Sequence, residues 1–142
     1  LGPVQLNAAL LPHLLKQSRA LIMTVSSGLA FVPMATTPAY CASKAAIHSY
    51  TQSLRHQLLH TSIRVVELIP PYVRTSLMGE RQATDAAAMP LDEFIRETMQ
   101  ILQNSPEAAE ICVERVKPLR FAERSGDYDN FYRKFNAATA HR

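Results

Sequence analysis

The chain has 142 residues, 47% of them apolar and 19% charged, with a formal net charge of +3. That profile suits one soluble globular domain with a real core and excludes a disordered chain. The Lys and Arg residues are scattered, which argues against a nucleic-acid partner, and no apolar run approaches the ~18 residues needed to span a membrane.

In chain order, residues 1–17 carry apolar side chains at Val4, Leu6, Ala8, Leu10, Leu11, Leu14 and Leu15, a helical pattern that Pro12 should kink. No capping residue precedes this helix, so the chain reads as one that has been cut. Residues 20–27 open with a continuous apolar run, as expected of a strand buried on both faces of a parallel sheet. Residues 28–38 read as a loop whose Leu29, Phe31, Val32 and Met34 either pack or line a pocket. The longest helix is expected from Tyr40 to about residue 61, and the next strand, IRVVELI, over residues 63–69. Residues 76–90 are rich in Met, Ala and Thr and are expected to be poorly ordered. Residues 91–102 form an amphipathic helix with Asp92 and Glu93 in its first turn. Residues 110–116 are expected as an edge strand, and the aromatic stripe of Tyr128, Phe131, Tyr132 and Phe135 as a helix packed on the sheet.

Neither Cys41 nor Cys112 belongs to a CxxC pair, and a small buried thiol is the expected role for Cys41. His56 and His60 are spaced as a zinc pair but lack a third ligand, so no metal is expected. His13, His48 and His141 complete the histidines and add no metal motif. Tyr50 has Leu54 rather than a lysine four residues on and is expected in the core.

The chemistry lies in VSSGLAFVPMATTPAYCASK, residues 25–44. Tyr40 and Lys44, four apart, fall on one helix face. An ammonium at about 4 Å contributes on the order of 4 kcal/mol in favour of an ionised phenol, at an effective dielectric of about 20. A phenol poised in this way is a general acid–base group. Ser27 ends the preceding strand thirteen residues before Tyr40. Open α/β sheets bind ligands at such strand ends. Ser26, one residue out of step, is an ordinary turn serine in this reading.

Ser27, Tyr40 and Lys44 at this spacing, with the flanking ALIMTVSS and PAYCASKAA and the later PPYVRT, are similar to the short-chain dehydrogenase/reductase superfamily. The resemblance covers nearly the whole chain, but only the second half of the family's fold. It implies an α/β, Rossmann-like doubly wound parallel sheet, here about three strands with helices on both faces. Residues 1–142 would then be the C-terminal catalytic half of a single domain, with the nucleotide-binding half outside them. It implies NAD(P)-dependent hydride transfer between an alcohol and a carbonyl. Tyr40 would be the proton carrier, Lys44 its modulator and a ribose ligand, and Ser27 the binder of the substrate oxygen. Pro70, Val73 and Thr75 would wrap the nicotinamide, although Pro71 stands where the family usually has glycine. Residues 76–90 occupy the place of a substrate lid. The family's catalytic asparagine falls just before Leu1, and Asn7 does not replace it. NADP or NAD is the implied cofactor, with NADP ahead, and a homo-oligomer formed through the Tyr40 helix is the implied assembly. The setting is expected to be cytoplasmic. The sequence holds four glycines and no glycine-rich phosphate turn. An inactive relative serving only as a partner-binding or vestigial fragment therefore remains the alternative function.

Overall fold

The computed structural model describes residues 2–77 and 79–140. The expected helix start at Leu1, Met78 of the lid stretch, and His141 lie outside the described residues. The chain runs α1 (Gly2–Leu14), β1 (Ala20–Val25), α2 (Pro38–Gln57), β2 (Ile63–Leu68), α3 (Glu80–Thr84), α4 (Leu91–Asn104), β3 (Glu110–Ile111), α5 (Lys117–Arg120) and α6 (Tyr128–Thr139). Short 3₁₀ turns lie at Gly28–Ala30, Glu114–Val116 and Ala122–Ser125. The strands form one parallel three-stranded sheet in the order β1-β2-β3. Parallel neighbours need crossovers, and α2 and α4 supply them. This is the α/β fold with flanking helices that the sequence implied.

Helix α2 starts two residues earlier than expected because Pro38 suits a first turn, where its missing N–H is not needed. It ends at Gln57 rather than near 61. Its inner face joins Leu54 and Leu58 to Ile22, Ile63 and Val65 of the strands, with Leu11, Leu14, Ala20 and Tyr50 packed against them. Tyr50 is therefore a core residue, as expected. A second cluster, Ile69, Met89, Val113 and Val116, is covered by Phe31, Phe94 and Ile101.

Four expectations are corrected. First, β1 is buried on one face only: Ile22 and Thr24 face the core, while Leu21, Met23 and Val25 are 51%, 37% and 47% exposed. The alternation of a strand sends these side chains to the opposite face. Second, the strand expected over 110–116 is only two residues long. Its last ladder bond is Ile69 N–H to the Ile111 carbonyl, and Pro70 and Pro71 beyond it have no N–H to donate. Third, residues 76–90 contain α3, and Met89 is buried and pairs with Val73 in a parallel bridge. Fourth, α6 lies against the loop after β1 rather than on the sheet. The Tyr128 hydroxyl donates to the Phe31 carbonyl at 3.2 Å, and Asn136 Nδ2 donates to the Pro33 carbonyl at 3.1 Å.

Candidate active site

Pairing between β1 and β2 continues past their ends. The Ser26 N–H donates to the Leu68 carbonyl and the Gly28 N–H to the Pro70 carbonyl, both at 3.0 Å. These two bonds set Ser27 beside the loop that opens at Pro70. Ser27 is extended and buried, and its Oγ accepts the Leu29 N–H at 3.1 Å, capping the 3₁₀ turn. That bond uses a lone pair and leaves the hydroxyl proton free to be donated.

Tyr40 and Lys44 stand on the first two turns of α2. Lys44 Nζ lies 5.6 Å from the centre of the Tyr40 ring and donates to the Val25 carbonyl at 2.9 Å. Its half-buried position disfavours the ammonium, so its pKa is lowered by desolvation. Ser27, Tyr40, Lys44, Pro70, Val73 and Thr75 all line one cavity of about 510 Å³. A second cleft of about 570 Å³ lies at the other end of the strands, around Arg19, Arg55, Arg64 and Glu107, and holds none of these residues.

In the loop after β2, the Val73 carbonyl accepts Gln82 Nε2 at 2.7 Å, and the bonds of Tyr72 and Arg74 to Met89 fix the segment on either side of Val73. Among the described residues only Gly79 and Gly126 have positive φ. Pro71 therefore sits in a loop that does not use the left-handed turn a glycine would allow. The Lys44 ammonium and the Tyr40 and Thr75 hydroxyls form a donor set suited to the ribose and carboxamide end of a dinucleotide.

The profile of the short chain dehydrogenase family matches residues 1–86. The chain belongs to the short-chain dehydrogenase family. An uncharacterized oxidoreductase of Bacillus subtilis (strain 168), DltE, is 42% identical over 138 residues, 95% of this chain and 54% of that protein. A short-chain dehydrogenase of Burkholderia cenocepacia in complex with NADP shares the fold at TM-score 0.76 and 19% identity, covering 94% of this chain and 55% of that one. One from Sphingobium yanoikuyae in complex with NADPH matches at TM-score 0.71 and 20% identity, over 91% and 51%. The chain thus spans about half the length of these relatives.

Three features of this short-chain dehydrogenase escape sequence reasoning. One is a buried ionic cluster one turn beyond Lys44. His48 Nδ1 meets both Glu67 oxygens at 3.0 and 2.9 Å, and Arg120 clasps both Glu110 oxygens at 2.8 and 2.9 Å. The His48, Glu67 and Glu110 ligand atoms lie within 4.8 Å of one another. Arg120 pairs with Glu110 and His48 hydrogen-bonds Glu67, so each carboxylate of the group already has a side-chain partner. Phe31 is held between the His48 ring, edge-on at 4.6 Å, and the Arg120 guanidinium at 4.5 Å. Two signals were available: Tyr40, Lys44 and His48 share the i, i+4, i+8 spacing, and Glu67 is the one acidic residue of a strand whose neighbours Val65, Val66 and Leu68 are apolar. The second feature is Ser26, whose buried Oγ has no protein partner and which lines the same cavity. The third is the aromatic stripe of α6, which brings Phe135 into the cavity wall.

Cys41, also in α2, is buried as expected, and its Sγ accepts the Met34 N–H at 3.2 Å.

Proposed function

We propose that residues 1–142 are the catalytic half of an NADP- or NAD-dependent oxidoreductase that interconverts an alcohol and a carbonyl. The single observation that carries the reading is the convergence of Ser27, Tyr40 and Lys44 on one cavity bordered by the Pro70–Thr75 loop. Bound there, the dinucleotide would supply or accept the hydride. Tyr40 gives its phenolic proton to the carbonyl oxygen in reduction and takes it back in oxidation. Lys44, its Nζ 5.6 Å from the ring centre, is the cation that stands beside this phenol. Ser27, its Oγ already held by Leu29, donates its proton to the substrate oxygen and fixes that oxygen against Tyr40. Thr75 and Val73 hold the nicotinamide side, and Lys44 also reaches the ribose. The pyrophosphate needs a glycine-rich turn from a nucleotide-binding half outside residues 1–142.

The outward faces of α1 and α2 support a homo-oligomer. Leu6 and Leu10 of α1 are exposed, and so are the small residues Ala42, Ala45, Ala46 and Ser49 of α2, which let a second backbone approach closely. A cytoplasmic setting accords with two free cysteines. A second reading, a partner-binding fragment without activity, is favoured by the exposed Leu21, Met23 and Val25.

The test uses the whole protein that carries these residues. Tyr40→Phe should lower NADPH-dependent turnover by at least ~10²-fold, with cofactor affinity held within a few-fold. Turnover near wild type would refute the assignment. A wild-type protein that neither turns over carbonyls nor quenches on NADPH titration would favour the partner-binding reading.

A further inference from the structure

We propose that the cavity over Tyr40 recognises a bulky apolar ketone or secondary alcohol, and that α6 supplies the wall that selects it. The reaction rests on the oxidoreductase reading above; the recognition rests on the cavity alone.

Away from the Pro70–Thr75 loop, the cavity lining is largely apolar, its neutral polar side chains being Ser26, Ser27, Thr37, Tyr40, Gln82 and Thr139. Leu29 and Met34 come from the loop after β1, Leu91 and Phe94 from the start of α4, Leu119 from α5 and Phe135 from α6. Among the described residues, its charged lining is Lys44, Arg81 and Asp85. Lys44 serves the proton carrier. Arg81 and Asp85, four residues apart, bring opposite charges, so the two together add no net charge to the lining. A polyhydroxylated substrate would lose water along a wall that offers few partners in return. At about 510 Å³ the space is that of a small-molecule site.

The wall is also fixed in place. Next to Phe135, Asn136 Oδ1 accepts the Ala35 N–H at 2.6 Å while its Nδ2 donates to the Pro33 carbonyl at 3.1 Å. Tyr128, about two helical turns earlier, donates to the Phe31 carbonyl. Helix α6 is thereby latched to the segment joining Ser27 to Tyr40, with Phe135 in the cavity wall. Leu119 is seated as closely: a Cβ placed on Gly28 would lie 2.8 Å from its Cδ1. A preformed apolar wall spends little binding energy on ordering itself.

The experiment takes the whole protein with NADPH and a series of methyl ketones from 2-butanone to 2-decanone. Binding is measured by calorimetry, and turnover by NADPH oxidation. Affinity and kcat/KM are expected to rise about fourfold per added methylene until the cavity is filled. Phe135→Asp should cost 2-decanone at least ~10-fold and flatten the series, which is the loss of about two methylenes' worth of burial. Leu119→Ala, a milder change, should lower the slope in the same sense if Phe135→Asp fails to fold. A series flat with chain length, or tighter binding of a hydroxylated or carboxylated ketone, overturns the proposal. Length-dependent binding with no turnover on any member upholds it and sinks the oxidoreductase reading. Turnover indifferent to length does the reverse.

Discussion

The His48–Glu67 pair allows a sharp test of what holds α2 against β2. Glu67 is completely buried, and the His48 side chain is 17% exposed. Replacing His48 by leucine removes the side chain that, among the described residues, hydrogen-bonds that carboxylate. Stranding one member of a buried pair costs about 3–5 kcal/mol. The slight exposure at His48 lets water reach the gap, so the lower end, about 3 kcal/mol, applies here. For a domain of this size that is a fall in Tm of about 10 °C. Glu67→Leu alone should cost under about 1 kcal/mol, since it removes the buried charge together with a carboxylate near that of Glu110. The double variant His48→Leu/Glu67→Leu should then regain about half of the loss, a coupling of about 2 kcal/mol. Urea unfolding of the four proteins followed by circular dichroism measures the cycle. Additivity within about 0.5 kcal/mol would refute the reasoning, because it would mean that the carboxylate does not feel the imidazole.

Gly28→Ala should destabilise the chain by about 1–3 kcal/mol, because its Cβ would stand 2.8 Å from Leu119 Cδ1 and Val116 Cγ2; an unchanged melting temperature would contradict the packing. Glu110 is pushed up by burial, but the hydrogen bonds and charge of Arg120, with His48 and Arg55, outweigh that and hold it below its ordinary value of 4.5. A depressed carboxylate contributes stability that is complete above the ordinary value and is lost as pH falls through the folded one. Glu110→Gln should therefore lose less stability than wild type between pH 6 and pH 3, and superposable acid limbs in thermal melts would exclude the pairing. Cys112 is held up to about 11, chiefly by burial, so at pH 8 only about one thiol in a thousand is thiolate. Alkylation by iodoacetamide, read by mass spectrometry, should be slower at Cys112 than at a free thiol by at least ~10²-fold, and rapid labelling would show that the thiol is not buried as described.

What the sequence discloses depends on how far apart the cooperating residues are. Tyr40 and Lys44 are one helical turn apart, so their common face follows from the helix period alone. The strands 20–25 and 63–68 are short β-branched or apolar runs between turn residues, and they lie close to where the residues suggest. The 91–104 helix carries its period openly. The ends of elements are less legible: β3 stops because two prolines on its neighbour withdraw their donors, a fact about residues forty positions away. The Glu67 cluster joins positions 48, 67, 110 and 120, and no local pattern links them. Likewise Phe135 reads as a packing aromatic until Asn136 is seen bonded to Ala35, about a hundred residues earlier.

These long-range contacts explain why a candidate pair so visible in sequence does not by itself specify a site. Tyr40 and Lys44 ride on α2, and α2 is seated on β1 and β2 through Leu54, Thr51 and the His48–Glu67 pair. Ser27 is placed by the sheet, through the bonds that carry the β1–β2 ladder to Pro70, and from the other side by Leu119 pressing on Gly28. Three independent anchors thus converge on a space a few side chains wide, and each is strongest where the chain is most buried. On the opposite side of β1, Leu21, Met23 and Val25 meet no layer among the described residues. Those side chains alternate with the ones that fix Ser27, so whatever covers them bears on the same strand that carries the serine.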